Sequence, residues 1–181
     1  MTPDALVRGD DVSLRHPTPG DRDAFVAAAR RSRELHHPRT TAPDTDDAFD
    51  AYLERAGRES ESCLLVVSAS DDALLGVYNV AEIVRGRFQN GYLGYYAFVP
   101  HAGRGAMRAA MSLVFEHAFG QLGLHRLQAN VQPDNTASRA LLESTGWREE
   151  GFAPRYLHID GDWRDHVMYA ITAEEIPRHM T

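Results

Sequence analysis

The run Tyr95-Tyr96-Ala97-Phe98-Val99-Pro100-His101-Ala102-Gly103-Arg104-Gly105-Ala106-Met107 limits the possible folds more than any other part of this chain. It begins as an apolar, aromatic strand over 91–99 and stops at Pro100, which has no N–H for a ladder and so belongs at a strand end or a bulge. Two glycines follow, and then helical spacing takes over. Met107, Met111, Val114, Phe115, Ala118 and Phe119 share one face of a helix predicted over 106–122, with Gly120 and Gly123 at its end. The first turn of a helix has N–H groups without intrahelical partners and partial positive charge from the dipole. Glycines before it let a phosphate reach the backbone with no Cβ in the way. The loop is neither a Walker A motif, which needs Gly-Lys-Ser/Thr, nor a dinucleotide fingerprint, which needs a third glycine.

The flanking pattern sets the architecture. Val12-Ser13-Leu14 reads as a first strand, and Thr18-Pro19-Gly20-Asp21 opens a helix bearing Phe25, Val26 and Ala29. His36-His37-Pro38 through Pro43 reads as a loop with its histidines at the surface. Asp44 or Thr45 caps a second helix through Phe49, Tyr52 and Leu53, which stops at Gly57. Strands over 63–68 and 74–83 are joined by Ser70-Asp71-Asp72. Past the long helix come a strand over 126–131, the loop Pro133-Asp134-Asn135, a helix over 136–145 and its cap Gly146. Two more strands, 147–159 and 164–171, turn at Asp160-Gly161-Asp162. The order predicts an α/β (α+β) fold: a mixed, mostly antiparallel central sheet with helices on both faces, in one domain over 1–181.

Composition narrows the function. With 19 basic against 26 acidic residues the net charge is −7, which argues against a nucleic-acid partner and suits a cationic one. The single cysteine, Cys63, precedes an apolar strand and reads as a core thiol in a reducing compartment. The first eleven residues lack an apolar leader core, and no apolar run approaches the length of a membrane span, so the expected location is cytoplasmic with no membrane partner. The 9 histidines form no HExxH or Cys/His cluster, and no metal is expected. Tyr92, Tyr95 and Tyr96 read as cross-strand packing.

Several ordered motifs together resemble the GNAT acetyltransferase superfamily. They are Gly103-Arg104-Gly105-Ala106-Met107, Asn130-Val131-Gln132-Pro133-Asp134-Asn135-Thr136-Ala137-Ser138 and Gly146-Trp147. Val84-Arg85-Gly86 with Tyr92-Leu93-Gly94-Tyr95, Glu150-Gly151 and the stretch from Tyr156 to Val167 look like its RimJ/RimL-type branch, which acetylates N-terminal amines of ribosomal proteins. The resemblance implies a GNAT-type sheet and acetyl-CoA as cosubstrate. It implies a phosphate loop on Ala102, Gly103, Arg104, Gly105, Ala106 and Met107, although Ala102 and Met107 depart from the superfamily's Gln/Arg-x-x-Gly-x-Gly/Ala pattern. It places the pantetheine arm along the strand edge at Phe98 and Val99, with Asn135 bonding that arm and Ser138 as proton donor to the leaving thiolate. An N–H of the Phe98–Val99 region is expected to hold the oxyanion.

The base does not carry over. Leu157 stands where RimL-like enzymes have a glutamate, and Gly91-Tyr92-Leu93-Gly94 lacks the carboxylate of other relatives, leaving Glu82, His101 or a water chain. An α-amine of pKa about 7.7–8.0 is roughly a third neutral at physiological pH, whereas a lysine near 10.4 is only about 0.1% neutral, a difference of roughly 3.5 kcal/mol. The expected acceptor is therefore the N-terminal α-amine of a protein or peptide, a ribosomal protein included. A small amine (amino acid, polyamine or antibiotic) and a weakly catalytic acyl-CoA-binding regulator stay open, as does the oligomeric state, a homodimer included.

Overall fold

The computed structural model describes residues 5–180; residues 1–4 and 181, the two ends of the expected 1–181 domain, lie outside it. Strands β1 (Val7–Arg8) and β2 (Val12–Arg15) form the first hairpin. Thr18 then starts a 3-10 turn, Pro19–Asp21, in which its N–H and hydroxyl both bond Asp21 Oδ2, at 2.7 and 2.9 Å. The same carboxylate holds the buried guanidinium of Arg15 at 2.9 and 2.6 Å, locking the helix start to β2. Helix α1 (Arg22–Arg31) buries Phe25, Val26, Ala28 and Ala29, and a short α2 (Arg33–His36) follows. Thr45 caps α3 (Asp46–Ala56), its Oγ1 accepting from Ala48 N–H at 3.2 Å, and Gly57 ends it as expected.

Strand β3 (Ser62–Ser68) is buried along six of its seven positions because helices cover both faces of the sheet there. It pairs with β4 (Leu74–Val84), which pairs with β5 (Asn90–Ala97). After α4 (Ala106–Phe115), a π-helical stretch over Glu116–Gln121 completes the long helix. Then come β6 (Arg126–Val131), α5 (Thr136–Ser144), β7 (Arg148–Ile159) and β8 (Asp162–Thr172). The sheet has 8 strands in the order β1-β2-β3-β4-β5-β6-β8-β7. Every neighbouring pair is antiparallel except β5 and β6, the one parallel pair.

Two apolar layers sandwich the sheet. On one face α4 and α5 pack Met111, Val114, Phe115 and Leu142 onto Leu64, Tyr78, Leu127 and Tyr169. On the other, Phe25, Phe49 and Tyr52 cover Cys63, Leu65, Val77 and Phe98, so Cys63 is a core thiol. Gly146 has φ +90, as a left-handed cap requires, and a Cβ there would also meet Pro177 at 2.5 Å. Three expectations need correction. β5 ends at Ala97 rather than 99, α2 forms where a loop was expected to begin, and His36 is buried instead of lying at the surface, because its ring bonds back to β5.

Candidate active site

The parallel pair makes the site. Strands β5 and β6 are paired only from Asn90–Tyr92 to Arg126–Gln128 and then part, although β5 continues to Ala97 and β6 to Val131. A cleft of about 590 Å³ opens between them. The Phe98 N–H bonds Leu75 O at 2.8 Å, which sets the phase of the β4–β5 ladder. By antiparallel alternation, positions 94, 96 and 98 turn their backbone groups toward β4, while Leu93, Tyr95 and Ala97 turn theirs toward the gap. Phe98 and Val99 are thus not the free edge. Phe98 is fully buried among Phe25 and Tyr96, the Val99 N–H bonds Ser32 Oγ at 3.0 Å, and neither residue lines the cleft. Both N–H groups are taken, so neither is free to hold an oxyanion as expected.

The glycine loop closes one end. Gly105 is the N-cap of α4 with φ +88, and Gly103 also sits at positive φ, +75. The cleft is lined by Ala102, Gly103, Gly105, Ala106 and Met107, whereas Arg104 lines a second recess of about 560 Å³ that shares Leu75, His101, Gly105 and Ala106 with the first. The start of α4 is held against the sheet: Tyr78 Oη donates to Met107 O at 2.8 Å. Gly76 makes that seat, since a Cβ there would lie 2.6 Å from Met107 Sδ and 2.7 Å from Tyr96 O.

Facing β5 across the gap, Asn135 caps α5 with Oδ1 accepting the Ser138 N–H at 3.2 Å. Tyr95 Oη lies 2.5 Å from Ser138 Oγ and 3.3 Å from Ser138 O. Burial pushes the Tyr95 phenol up, against the opposing bond to Ser138, so it stays protonated. The cleft also receives side chains from α2 and the loop after it. His36 Nε2 is 2.8 Å from Ala97 O, and Arg39 bridges to Asp134 at 2.8 Å, linking the α2–α3 loop to the loop before α5.

Of the residues expected as possible bases, His101 lines the cleft at its glycine-loop end, and Glu82 does not line it, sitting on the β4 bulge at φ +49. Sequence reading missed Tyr95, His36, Asn130 and His166, all cleft-lining. Strand parity carried a signal for two of them: Asn130 falls between the core positions Ala129 and Val131, and His166 directly precedes the core position Val167. Among the described residues, no group of three His, Cys, Asp or Glu could hold a metal ion, and no helix is long and apolar enough to cross a membrane.

Comparison with known proteins adds a family to this geometry. The acetyltransferase (GNAT) domain family matches residues 11–148. The [ribosomal protein uS5]-alanine N-acetyltransferase of Escherichia coli is 39% identical over 97% of this chain and 91% of its own length. RimJ of Mycobacterium smegmatis, solved in complex with CoA-disulfide, superposes with a TM-score of 0.84 at 29% identity, covering 93% of this chain and 87% of that one. A spermidine N-acetyltransferase from Vibrio cholerae, in complex with CoA and spermine, shares the fold at TM-score 0.78 and 20% identity over 92% and 98% of the two chains.

Proposed function

The chain belongs to the GNAT acetyltransferase family, and we propose from that premise that it moves the acetyl group of acetyl-CoA onto the N-terminal α-amine of a protein. The observation that carries this reading is the Tyr95–Ser138 pair at the wall of the gap between β5 and β6. A phosphate-bearing thioester suits the features around it. The left-handed Gly105 start of α4 offers unpaired first-turn N–H groups to phosphate, and the open edge at Leu93, Tyr95 and the Ala97 N–H offers backbone partners to an amide-bearing arm. Ala102, Gly103, Arg104, Gly105, Ala106 and Met107 form the phosphate loop, acting through backbone groups, which is why Ala102 and Met107 can depart from the family pattern.

When bound, the thioester supplies an already activated acetyl carbon, and the protein's part is positioning and proton handling. Ser138 donates the proton that the departing sulfur needs, held in place by Tyr95 and by its own N–H on Asn135. An N–H of Tyr95 or Ala97 stabilises the developing oxyanion. Among the described residues no Asp or Glu lines the cleft, so the site has no carboxylate to strip a lysine, and an α-amine, largely neutral near pH 8, is the easier acceptor. The likeness to the Escherichia coli uS5-alanine N-acetyltransferase supports a ribosomal-protein N-terminus as substrate. The net charge of −7 favours the basic sequence such termini carry.

An acceptor comparison tests this. The protein is given acetyl-CoA with an alanine-starting basic peptide, the same peptide with a blocked N-terminus and one free lysine, or spermidine. The α-amine peptide should exceed the lysine peptide in kcat/KM by about two orders of magnitude. Equal rates on the two peptides, or a preference for spermidine, defeat the α-amine reading, and no turnover of acetyl-CoA with any amine defeats the enzyme reading itself.

A further inference from the structure

We propose that His166 is the base that takes the proton of the acceptor amine, an assignment that rests on the acetyl-transfer reading above. Along β8, Val167, Tyr169 and Ile171 enter the core under α4 and α5. Alternation then turns His166 to the opposite face, where it is only 2% exposed yet lines the cleft. Ser138 stands on the α5 side. A base on one face and a proton donor on the other put attack and departure on opposite sides of the gap.

The imidazole is held in one tautomer. His166 Nδ1 lies 3.0 Å from the Arg164 carbonyl, which can only accept, so Nδ1 carries the hydrogen and Nε2 of the neutral ring keeps a lone pair. The far nitrogen is therefore the basic one. His36 has the reverse arrangement: its Nε2 is used on Ala97 O, leaving the nitrogen nearest its own backbone. His101 belongs to the phosphate end, where it lines both recesses. Burial pushes the His166 pKa below 6.5, outweighing the pull of its Arg164 bond and of Asp165, so the ring is neutral at pH 7.

A second observation marks the same place as an amine site. Asn130 lies on the His166 face of the neighbouring β6, and its Oδ1 is buried with no hydrogen-bond partner. An unmet acceptor lining the cleft calls for a donor, and an ammonium or amine N–H supplies one. The titratable groups around His166 are Tyr156 from β7, its ring 5.8 Å away, and Arg164 and Asp165 on its own strand. Tyr92 from β5 and Asn130 in turn act on the Tyr156 hydroxyl, which burial raises. Leu157, at the position where the RimL-like resemblance has a glutamate, also lines the cleft.

In the step, His166 Nε2 takes one proton from the ammonium and the freed lone pair bonds to the acetyl carbon. The carbon–sulfur bond breaks with its electron pair on sulfur, and sulfur takes the Ser138 proton. The second proton leaving nitrogen as the amide forms returns to Ser138 through the Tyr95 hydroxyl. His166 releases its proton to solvent, and the count closes on amide, thiol and one H⁺.

His166→Asn keeps an amide N–H for the Arg164 carbonyl and removes the far nitrogen. With the alanine-starting peptide, kcat should fall by about 30-fold or more, CoA affinity by calorimetry should stay within about twofold, and added imidazole should restore part of the rate. In the wild type, the low-pH limb of kcat should report a group below 6.5, and the variant should lack it. A variant within about threefold of wild-type kcat that keeps the limb overturns the assignment. Independently of any variant, nitrogen NMR of the wild type should show a His166 ring protonated at Nδ1 at pH 7 and titrating below 6.5; a ring protonated at Nε2 overturns it too. A wild type that acetylates the peptide while His166→Asn remains fully active sinks only the base, whereas a wild type inactive on every amine sinks the acetyl-transfer reading.

Discussion

Removing the Ser138 hydroxyl tests the centre of the site. In Ser138→Ala, Tyr95 Oη loses its 2.5 Å partner and keeps only the 3.3 Å bond to the Ser138 carbonyl. The folded state should lose about 1 kcal/mol, the net worth of one such bond, and the melting temperature about 2–4 °C for a chain of this size. Turnover should fall much further. A proton donor contributes 10²–10⁴-fold, and because a water can partly replace the hydroxyl the low end applies, about 10² or roughly 2.7 kcal/mol of barrier. The KM for acetyl-CoA should hardly move, since the hydroxyl acts mainly in the transition state.

Tyr95→Phe leaves Ser138 in place but removes the group that orients and refills it, and should cost about tenfold in kcat. If the two hydroxyls form one relay, the double variant should match Ser138→Ala alone, near 10², rather than the product of the single losses, near 10³. Thiol release followed at saturating acetyl-CoA gives kcat for all four proteins, and thermal melts check that each is folded. Multiplying losses would separate the two roles, and full activity in Ser138→Ala would leave that residue as nothing more than a helix-start side chain.

Two further outcomes follow. Gly105→Val should weaken CoA binding by about tenfold (about 1.4 kcal/mol), with Gly105→Asn milder: the space around Gly105 is open, so the strain comes from φ +88, which a β-branched residue resists and asparagine tolerates; unchanged affinity in a folded Gly105→Val refutes the loop assignment. The Glu150 carboxyl is held down to about 2 by its bond to Arg126, burial opposing and Arg148 assisting, so it stabilises the fold above its ordinary 4.5 and loses that effect as pH falls through about 2. The shift caps the effect at about 3 kcal/mol, which solvent screening of a partly exposed pair cuts to about 1–2. Glu150→Gln should therefore melt lower by about 3–6 °C at pH 7 and equal the wild type near pH 2, and a gap that persists at pH 2 would assign the loss to packing.

The sequence made the helix and strand plan legible because each element carried its own period or cap. Thr45, Gly57 and Gly146 act where their local chemistry says they should. The loop from Ala102 to Met107 was legible for the same reason, since its glycines and the helix that follows are adjacent in the chain. That the N–H groups of Phe98 and Val99 are taken was not legible, because which backbone groups face a gap is a matter of ladder phase, set here by the Phe98–Leu75 bond between different strands. His36 was taken for a surface residue because its partner, Ala97 O, is 61 residues away. Gly76 carried no signal of its own: its need for a missing Cβ arises only when Met107 arrives against it.

The same distinction divides the cleft by how sequence can vary in it. In the proposed function the working groups at the phosphate end are backbone N–H and left-handed glycines, so Ala102 and Met107 can differ from the family pattern without removing them. The strand edge is fixed from a distance, by Ser32 on the Val99 N–H and His36 on Ala97 O, so α1 and α2 set the gap while contributing little chemistry. At the far end the cleft is lined by side chains on β6, β7 and β8: Asn130, Leu157 and His166. A side chain cannot be exchanged there as a loop residue can, because an acceptor or a lone pair disappears with it. Leu157 offers no proton acceptor there, so a base at that end has to be another lining side chain, and the buried imidazole of His166 is the one we propose.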